Sequence, residues 1–355
     1  MTLVVTSPPG SICIVRLSAI GDVCHTLPVV RTLQSHWPDT KLTWVIGKTE
    51  ASLVEDIPGI KFTIIDKSKG WYAYRELHRC TRGRRFDLLL QMQPAMRATM
   101  ASLFIKAPVR LGFDKARSRD YQWLFTNQRI SGDVRVHVQD CAFQFLEAIG
   151  ITERVLRWDI PIPDSAKAFC AERLPDDRPV LAINPCSNVR RRNWRNWNIE
   201  GYADVADYAA ENYGMRIVLT GGPSSLENDF GKAIEKRCKS RPVNLIGKTS
   251  LKELLAVLGR TDVLIAPDTG PAHMATAVGT PVIGLYATTN PLRARAYLSQ
   301  KWVVNKYPEA LEAEYGLNVD QAAWGTRVRH PDAMQRISVN DVIQRLDEFM
   351  AQWKT

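Results

Sequence analysis

Short apolar runs alternate with amphipathic stretches along almost the whole chain. Residues 12–17, 41–46, 62–65, 87–91 and 109–112 carry apolar side chains with little polar interruption, the pattern of strands covered on both faces of a parallel sheet. Between them, 27–37, 74–82, 96–104 and 137–149 repeat apolar residues at helical spacing. This alternation predicts a parallel sheet wrapped by right-handed crossovers. The second half repeats the grammar, with strands expected at 180–184, 216–220, 244–246, 263–266 and 282–286 and helices at 199–213, 224–238, 250–259 and 272–278. Ser338 is a plausible N-cap for a last helix over 339–353. The stretch 301–336 is irregular and takes no element. A Pro-containing run at 158–164 reads as a stiff extended linker. The expected class is α/β, with two Rossmann-like domains facing across a cleft: 1–163, 164–336, and a terminal helical piece at 337–355.

At 355 residues the chain is long enough for two cores. No run approaches the roughly 20 apolar residues of a membrane helix, and residues 1–8 lack the basic and apolar regions of a signal peptide. Seven cysteines, odd in number and without a CxxC pair, point to reduced thiols in the cytoplasm and away from structural zinc. The net charge of +10 is concentrated: between Lys61 and Arg119 there are 14 Lys or Arg and 4 Asp or Glu, so the remainder is neutral on balance. Such a patch fits an anionic partner, whether phosphorylated lipid, membrane surface, nucleic acid or acidic sugar, or else a solvated basic face.

Two strand–turn–helix passages carry an aspartate beside glycine: Ser18-Ala19-Ile20-Gly21-Asp22, and Pro267-Asp268-Thr269-Gly270 followed by Pro271-Ala272-His273. A turn of this kind aims free N–H groups of a helix start at one spot, which suits a phosphate. Asp22 lies where open α/β sheets bind ligands and can serve as a general base; a helix-capping Asp explains it equally well. His25 shares its helix face and reads as structural. Pro271 suits a first helical turn, and a diphosphate is favoured by that turn's N–H groups and dipole. His273, one turn in, can point back to the same ligand, although Ala272, Met274, Ala275 and Val278 equally describe a capped buried helix.

The run Asn184-Pro185-Cys186-Ser187-Asn188-Val189-Arg190-Arg191-Arg192-Asn193-Trp194 follows another strand. Its arginines can bind phosphate oxygens by bidentate contacts. The same run also fits a surface loop, or a nucleic-acid contact with Trp194 and Trp197 interleaved. Thr220-Gly221-Gly222-Pro223-Ser224 is a weak nucleotide-loop signal; neither a GxGxxG nor a Walker pattern occurs.

Taken together, the passage from Ser18 to Pro28, the arginine loop ending in Arg192-Asn193-Trp194, and Asp268-Thr269-Gly270-Pro271-Ala272-His273 resemble the heptosyltransferases of lipopolysaccharide core assembly. These are glycosyltransferases of family 9 with the GT-B fold. The resemblance spans nearly the whole chain; Arg16-Leu17-Ser18 and Trp324-Gly325-Thr326-Arg327 look nearest the type I branch. It implies an N-terminal acceptor domain, a C-terminal nucleotide-sugar domain and a final helix that packs back on the first. Asp22 matches the catalytic base acting on a hydroxyl of a 3-deoxy-manno-octulosonic acid (Kdo) residue on lipid A. Ser187, Arg192, Asp268, Thr269, Gly270 and His273 match donor-site positions, and Lys67, Lys69, Arg97 and Arg119 match basic residues for the acceptor. Asn244 falls near where some members place a Glu for the nucleotide ribose, and Cys186 where Thr is frequent.

The expected activity is therefore an inverting transfer of L-glycero-D-manno-heptose from ADP-heptose, with no metal and no cofactor. The expected setting is cytoplasmic, at the inner face of the inner membrane, with neither a transmembrane segment nor a nucleic-acid partner. The competing readings are a family 9 transferase with another acceptor or sugar nucleotide, and a basic nucleic-acid-binding protein.

Overall fold

The computed structural model describes residues 7–187 and 194–353, and the chain divides into two compact units, Met1–Pro161 and Ile162–Thr355. In the first, β1 (Ser11–Val15), β2 (Lys41–Gly47), β3 (Ile60–Ile65), β4 (Leu88–Gln91), β5 (Val109–Gly112) and β6 (Gln128–Arg129) form one sheet in the order β3-β2-β1-β4-β5-β6. Every pairing is parallel, with Ile14 in register with Trp44 and Leu90. Ile12, Cys13, Ile14 and Val15 are fully buried, because crossover helices cover both faces. Those helices are α1 (Ile20–His36), α2 (Lys48–Val54), α3 (Trp71–Thr81), α4 (Met96–Ser102) and α5 (Val138–Glu147).

Helix α1 starts seven residues before the expected 27, since its first turn is too polar to show apolar spacing. It also carries Pro28 inside it, which has no N–H for the carbonyl of Cys24 one turn back. The indole of Trp158 donates to that carbonyl at 2.8 Å. Arg31 in turn donates to the carbonyls of Trp158 and Asp159. The run expected as a stiff extended linker is thus strapped along α1, with Trp158 and Ile160 buried.

The second unit repeats the architecture. Strands β7 (Val180–Ile183), β8 (Arg216–Leu219), β9 (Val243–Asn244), β10 (Val263–Pro267), β11 (Val282–Tyr286) and β12 (Val303–Asn305) pair in parallel, in the order β12-β11-β10-β7-β8-β9. The helices are α6 (Asp164–Arg173), α7 (Ile199–Tyr213), α8 (Ser225–Arg237), α9 (Leu251–Arg260), α10 (Gly270–Ala277), α11 (Pro291–Ala294), α12 (Tyr307–Tyr315) and α13 (Val339–Trp353). Side chains of the strands alternate: Leu181, Ile217 and Ile265 join α7 on one face, while Val180 and Val218 meet Ala166 and Val257 of α6 and α9 on the other.

The last helix packs its apolar face within the second unit. Val342, Leu346, Phe349 and Met350 of α13 sit in the second unit's own core, with Phe349 edge-on to Trp302 at 5.3 Å. Tyr208 and Tyr213 both donate to Asp347, so 162–355 is one unit rather than a domain plus a separate piece. Its apolar stripe is satisfied there, by α7, β11 and β12. The region 301–336, without an element in the sequence reading, holds β12, α12 and a buried turn at Ala333 and Met334. Among the described residues no helix is long and apolar enough to cross a membrane.

Candidate active site

Both sheets have the Rossmann strand order, in which direction reverses beside the first strand, and ligands of such sheets bind outside the carboxyl ends of the strands at that reversal. In the first unit the reversal lies between β1 and β4. The chain leaving β4 closes it: the Gln93 amide accepts from the Leu17 N–H at 2.7 Å and the Ser18 N–H at 3.3 Å, and donates to the Ser18 hydroxyl. Trp44 donates to the Arg16 carbonyl at 3.1 Å. The turn carrying Asp22 is therefore held from two neighbouring strands.

Asp22 falls in the first turn of α1 and does what a capping residue does, its Oδ2 accepting from Ala19 N–H at 3.1 Å. Its Oδ1 pairs with Arg16 Nη2 at 2.5 Å, and Arg16 also donates to the Met92 carbonyl. The carboxylate nevertheless remains 41% exposed. Capping and an accessible carboxylate are thus one arrangement. The carboxylate thus takes up one N–H at the start of α1, that of Ala19. A second carboxylate lies behind it. A Cβ on Gly47 would stand 2.5 Å from both the Leu17 carbonyl and Glu50 Oε2, so glycine permits this close approach. Burial pushes the Glu50 carboxyl above its ordinary range.

His25 is buried. Its Nδ1 meets the Gln139 carbonyl oxygen at 3.0 Å, and the Gln139 amide donates back to the His25 carbonyl. The basic candidates all follow strand ends on the same edge of the sheet. Lys67 and Lys69 lie on a tight turn after β3, Arg97 in the first turn of α4 after β4, and Arg119 in the loop after β5. All four are exposed. Asp120 accepts from Met96 N–H at 2.8 Å, which brings the neighbours Arg97 and Arg119 to one place. From β3 to β5 is four strand spacings, about 19 Å, so Lys67 and Lys69 stand apart from that pair. Lys69 is also paired with Glu76 at 2.8 Å. Three members of the basic patch are internal instead. Arg84 donates to Thr43, Arg110 to the Ser102, Ile105 and Phe125 carbonyls, and Arg117 pairs with Asp114.

In the second unit the reversal lies between β7 and β10. Asn184, Pro185, Cys186 and Ser187 leave β7 there, all buried. Ser187 N–H donates to Asn196 at 2.9 Å, and burial pushes the Cys186 thiol up to about 12, leaving it an inert filler. Asp268, Thr269 and Gly270 leave β10, and α10 begins with Pro271 in its first turn. Helices α7, α8 and α9 are each capped by a side chain, Asn198, Ser224 and Ser250, whereas among the described residues no side chain caps α10. Its first-turn N–H groups, which lack intrahelical partners by geometry, face the reversal.

Arg195, unassigned by the sequence reading, clamps this turn. Its Nη1 donates to the Asp268 carbonyl at 2.9 Å and to Oδ2 at 3.1 Å. The other carboxylate oxygen lies 4.0 Å from His273 Nε2. Asp268 and His273 are thus brought together, although Asp268 faces Arg195 first. Arg16 could have been found from its place at the end of the apolar run that precedes Asp22, whereas Arg195 lies 73 residues from Asp268 and carries no such local signal. Asn244 ends the edge strand β9, two strands from β7, where its amide donates to Glu235 and accepts from Ile246 N–H. Arg192 lies outside the described residues. The Gly221-Gly222 loop is closed on itself by Glu227, which accepts from Gly222 N–H and from the Ser224 hydroxyl. Trp197 is buried with its indole on the Ile337 carbonyl, so it offers no ring to a nucleic acid. Beyond β11, Thr289, Asn290, Arg293, Trp324 and Thr326 line a shallow surface depression, which gives the Trp324-Gly325-Thr326-Arg327 motif its place in the fold.

Residues 74–318 match the family model described as glycosyltransferase family 9 (heptosyltransferase). The chain is 40% identical to the lipopolysaccharide core heptosyltransferase OpsX of Haemophilus influenzae, covering 97% of this chain and 98% of that one. In structure it resembles the Escherichia coli ADP-heptose lps heptosyltransferase II, with a TM-score of 0.73, 17% identity and coverage of 97% and 99%. It also resembles the E. coli heptosyltransferase WaaC, solved with ADP, with a TM-score of 0.71, 18% identity and coverage of 96% and 99%. These neighbours share the two-unit GT-B fold. The chain therefore belongs to glycosyltransferase family 9, the heptosyltransferases, and is a sugar-transferring enzyme.

Proposed function

We propose that this heptosyltransferase moves L-glycero-D-manno-heptose from ADP-heptose to a Kdo residue of the lipopolysaccharide inner core, with inversion and without a metal ion. Asp22 takes the proton of the acceptor hydroxyl. The freed oxygen forms its bond to the anomeric carbon as the bond to the diphosphate breaks on the opposite face, and ADP leaves with the electron pair. Charge growing on the diphosphate is met by the N–H groups and dipole of α10, beside Thr269 and Gly270, and by Arg192. Ser187 contributes a hydroxyl to the same phosphates, Asp268 and His273 shape the turn, and Asn244 serves the nucleoside. Lys67, Lys69, Arg97 and Arg119 receive the acidic acceptor. The enzyme works in the cytoplasm at the inner face of the inner membrane.

The observation that carries this reading is the α10 start: a helix N-terminus at the strand-order reversal, uncapped by its own side chains. The ADP with which E. coli WaaC was solved supports the choice of nucleotide. The test is thermal stabilisation by ADP, UDP, GDP and CMP, followed by ADP release with and without Kdo-lipid A. Selective stabilisation by ADP is expected, amounting to about 2.7 kcal/mol at a hundredfold excess over Kd. ADP release should require the acceptor and persist in a chelator. Stabilisation by UDP or GDP instead, or release driven by another acceptor, overturns the donor or acceptor assignment.

A further inference from the structure

The segment 67–85 holds seven Lys or Arg against one acidic residue, Glu76. Helix α3 inside it buries Ala73, Leu77 and Thr81 against the first unit and turns a different surface outward. Trp71 is 58% exposed and Tyr72 67%. Trp71, Tyr74 and His78 follow one another at helical spacing, and their rings gather with Phe104 at the end of α4. The centroid distances are 5.6 Å from Trp71 to Tyr74, 6.1 Å from Tyr74 to Phe104 and 5.8 Å from His78 to Phe104. Leu103, next to Phe104, is 49% exposed. Two elements thus build one aromatic and aliphatic surface, flanked by the exposed cations Arg75, Arg79 and Arg82.

Leaving this much ring surface in water is unfavourable, whereas Trp and Tyr suit the level of lipid headgroups, where one end of the ring is apolar and the other wet. Cations beside them are attracted to anionic lipid by about 1 kcal/mol each. Nucleic acid fits less well. The rings pack against one another instead of standing as separate platforms for bases, and Leu103 has no use in stacking.

We propose that this α3 face seats the enzyme on an anionic phospholipid bilayer, with Trp71, Tyr72 and Leu103 in the headgroup layer and Arg75 and Arg79 on the lipid phosphates. The inference rests on the functional reading that the acceptor is lipid-linked.

The test is co-sedimentation of the full chain with vesicles of phosphatidylcholine, alone or mixed with phosphatidylglycerol. Wild type is expected to bind the mixed vesicles, and the double variant Arg75→Ala, Arg79→Ala to bind them at least about tenfold more weakly, as the loss of two such attractions requires. Trp71→Ser with Tyr72→Ser should abolish the binding that survives high salt. Both variants should retain wild-type transfer to a water-soluble acceptor without acyl chains. Equal binding by wild type and variants, equal binding to neutral vesicles, displacement of the protein from vesicles by RNA, or loss of transfer to the soluble acceptor would each overturn the proposal. Failure of wild type to transfer heptose to any acceptor would instead count against the functional reading, and the vesicle result would still decide this one.

Discussion

Arg16 Nη2 lies 2.5 Å from Asp22 Oδ1 while the other oxygen of the same carboxylate caps α1. Among the described residues Arg16 and the Ala19 N–H hold its orientation, and part of the carboxylate stays exposed. Capping and catalysis are separable by one substitution. Asp22→Asn keeps an oxygen for the Ala19 N–H but removes the proposed base. Turnover should fall by about 10² to 10⁴-fold, with the thermal midpoint and the affinity for ADP close to wild type. Turnover near wild type in this variant would reduce Asp22 to a cap; Asp22→Ala should lose turnover and also some stability, about 1 kcal/mol.

Arg195 is the corresponding support in the second unit, bonded to both the backbone and the side chain of Asp268. Replacing it with Met leaves a mostly buried carboxylate without this donor, which costs about 1–3 kcal/mol. The turn into α10 should loosen, and ADP affinity measured by calorimetry should drop about tenfold. Arg195→Lys restores the charge without the fork geometry and should recover only part of that loss. Unchanged ADP affinity in Arg195→Met would separate the clamp from the donor site.

What the sequence reveals depends on how local the physics is. Strands such as 12–17 and 263–266 are buried on both faces, so their apolar runs are legible without any knowledge of neighbours. Helix α6 escapes a sequence reading because only Ala166 and Cys170 are buried along it, too few to mark a period. Helix α13 is legible, but its partners are not: an apolar stripe at 342, 346 and 349 says that a face is covered, never by what. At the site, aspartates beside glycine stand out by residue type. Their arginines, Arg16 and Arg195, do not, since the second pair is closed only when residues 195 and 268 meet across the fold. The basic patch is overcounted in sequence for the same reason: Arg84, Arg110 and Arg117 add to the charge there and are internal in the structure.

Trp158 offers a test of how the strap on α1 matters. Its indole supplies the hydrogen bond that Pro28 cannot make to the Cys24 carbonyl. Trp158→Phe retains most of the ring's packing and removes that donor, leaving a buried carbonyl unsatisfied at a cost of about 1–3 kcal/mol. The urea midpoint should fall accordingly, at unchanged slope. An unchanged midpoint would mean that the carbonyl finds another donor and that packing alone holds the strap.

Glu50 sets a pH dependence of opposite sign to that of a paired surface carboxylate. Burial raises its folded pKa, its own backbone N–H and the charge of Lys67 oppose that rise, and the charge of Asp22 adds to it. The unfolded value is about 4.3. Between the two values the folded state binds more protons than the unfolded state, so stability declines as pH rises from the unfolded value through the folded one and stays lower above. Glu50→Gln carries no proton to lose. In urea titrations across this range the variant should gain on wild type with rising pH, and the gap should be fully open once pH exceeds the folded pKa. Asp22→Asn removes one of the charges that raise this pKa, so adding Glu50→Gln to that background should open a narrower gap than it does in wild type. Parallel stability curves for wild type and Glu50→Gln would show instead that the carboxylate behind Gly47 remains hydrated.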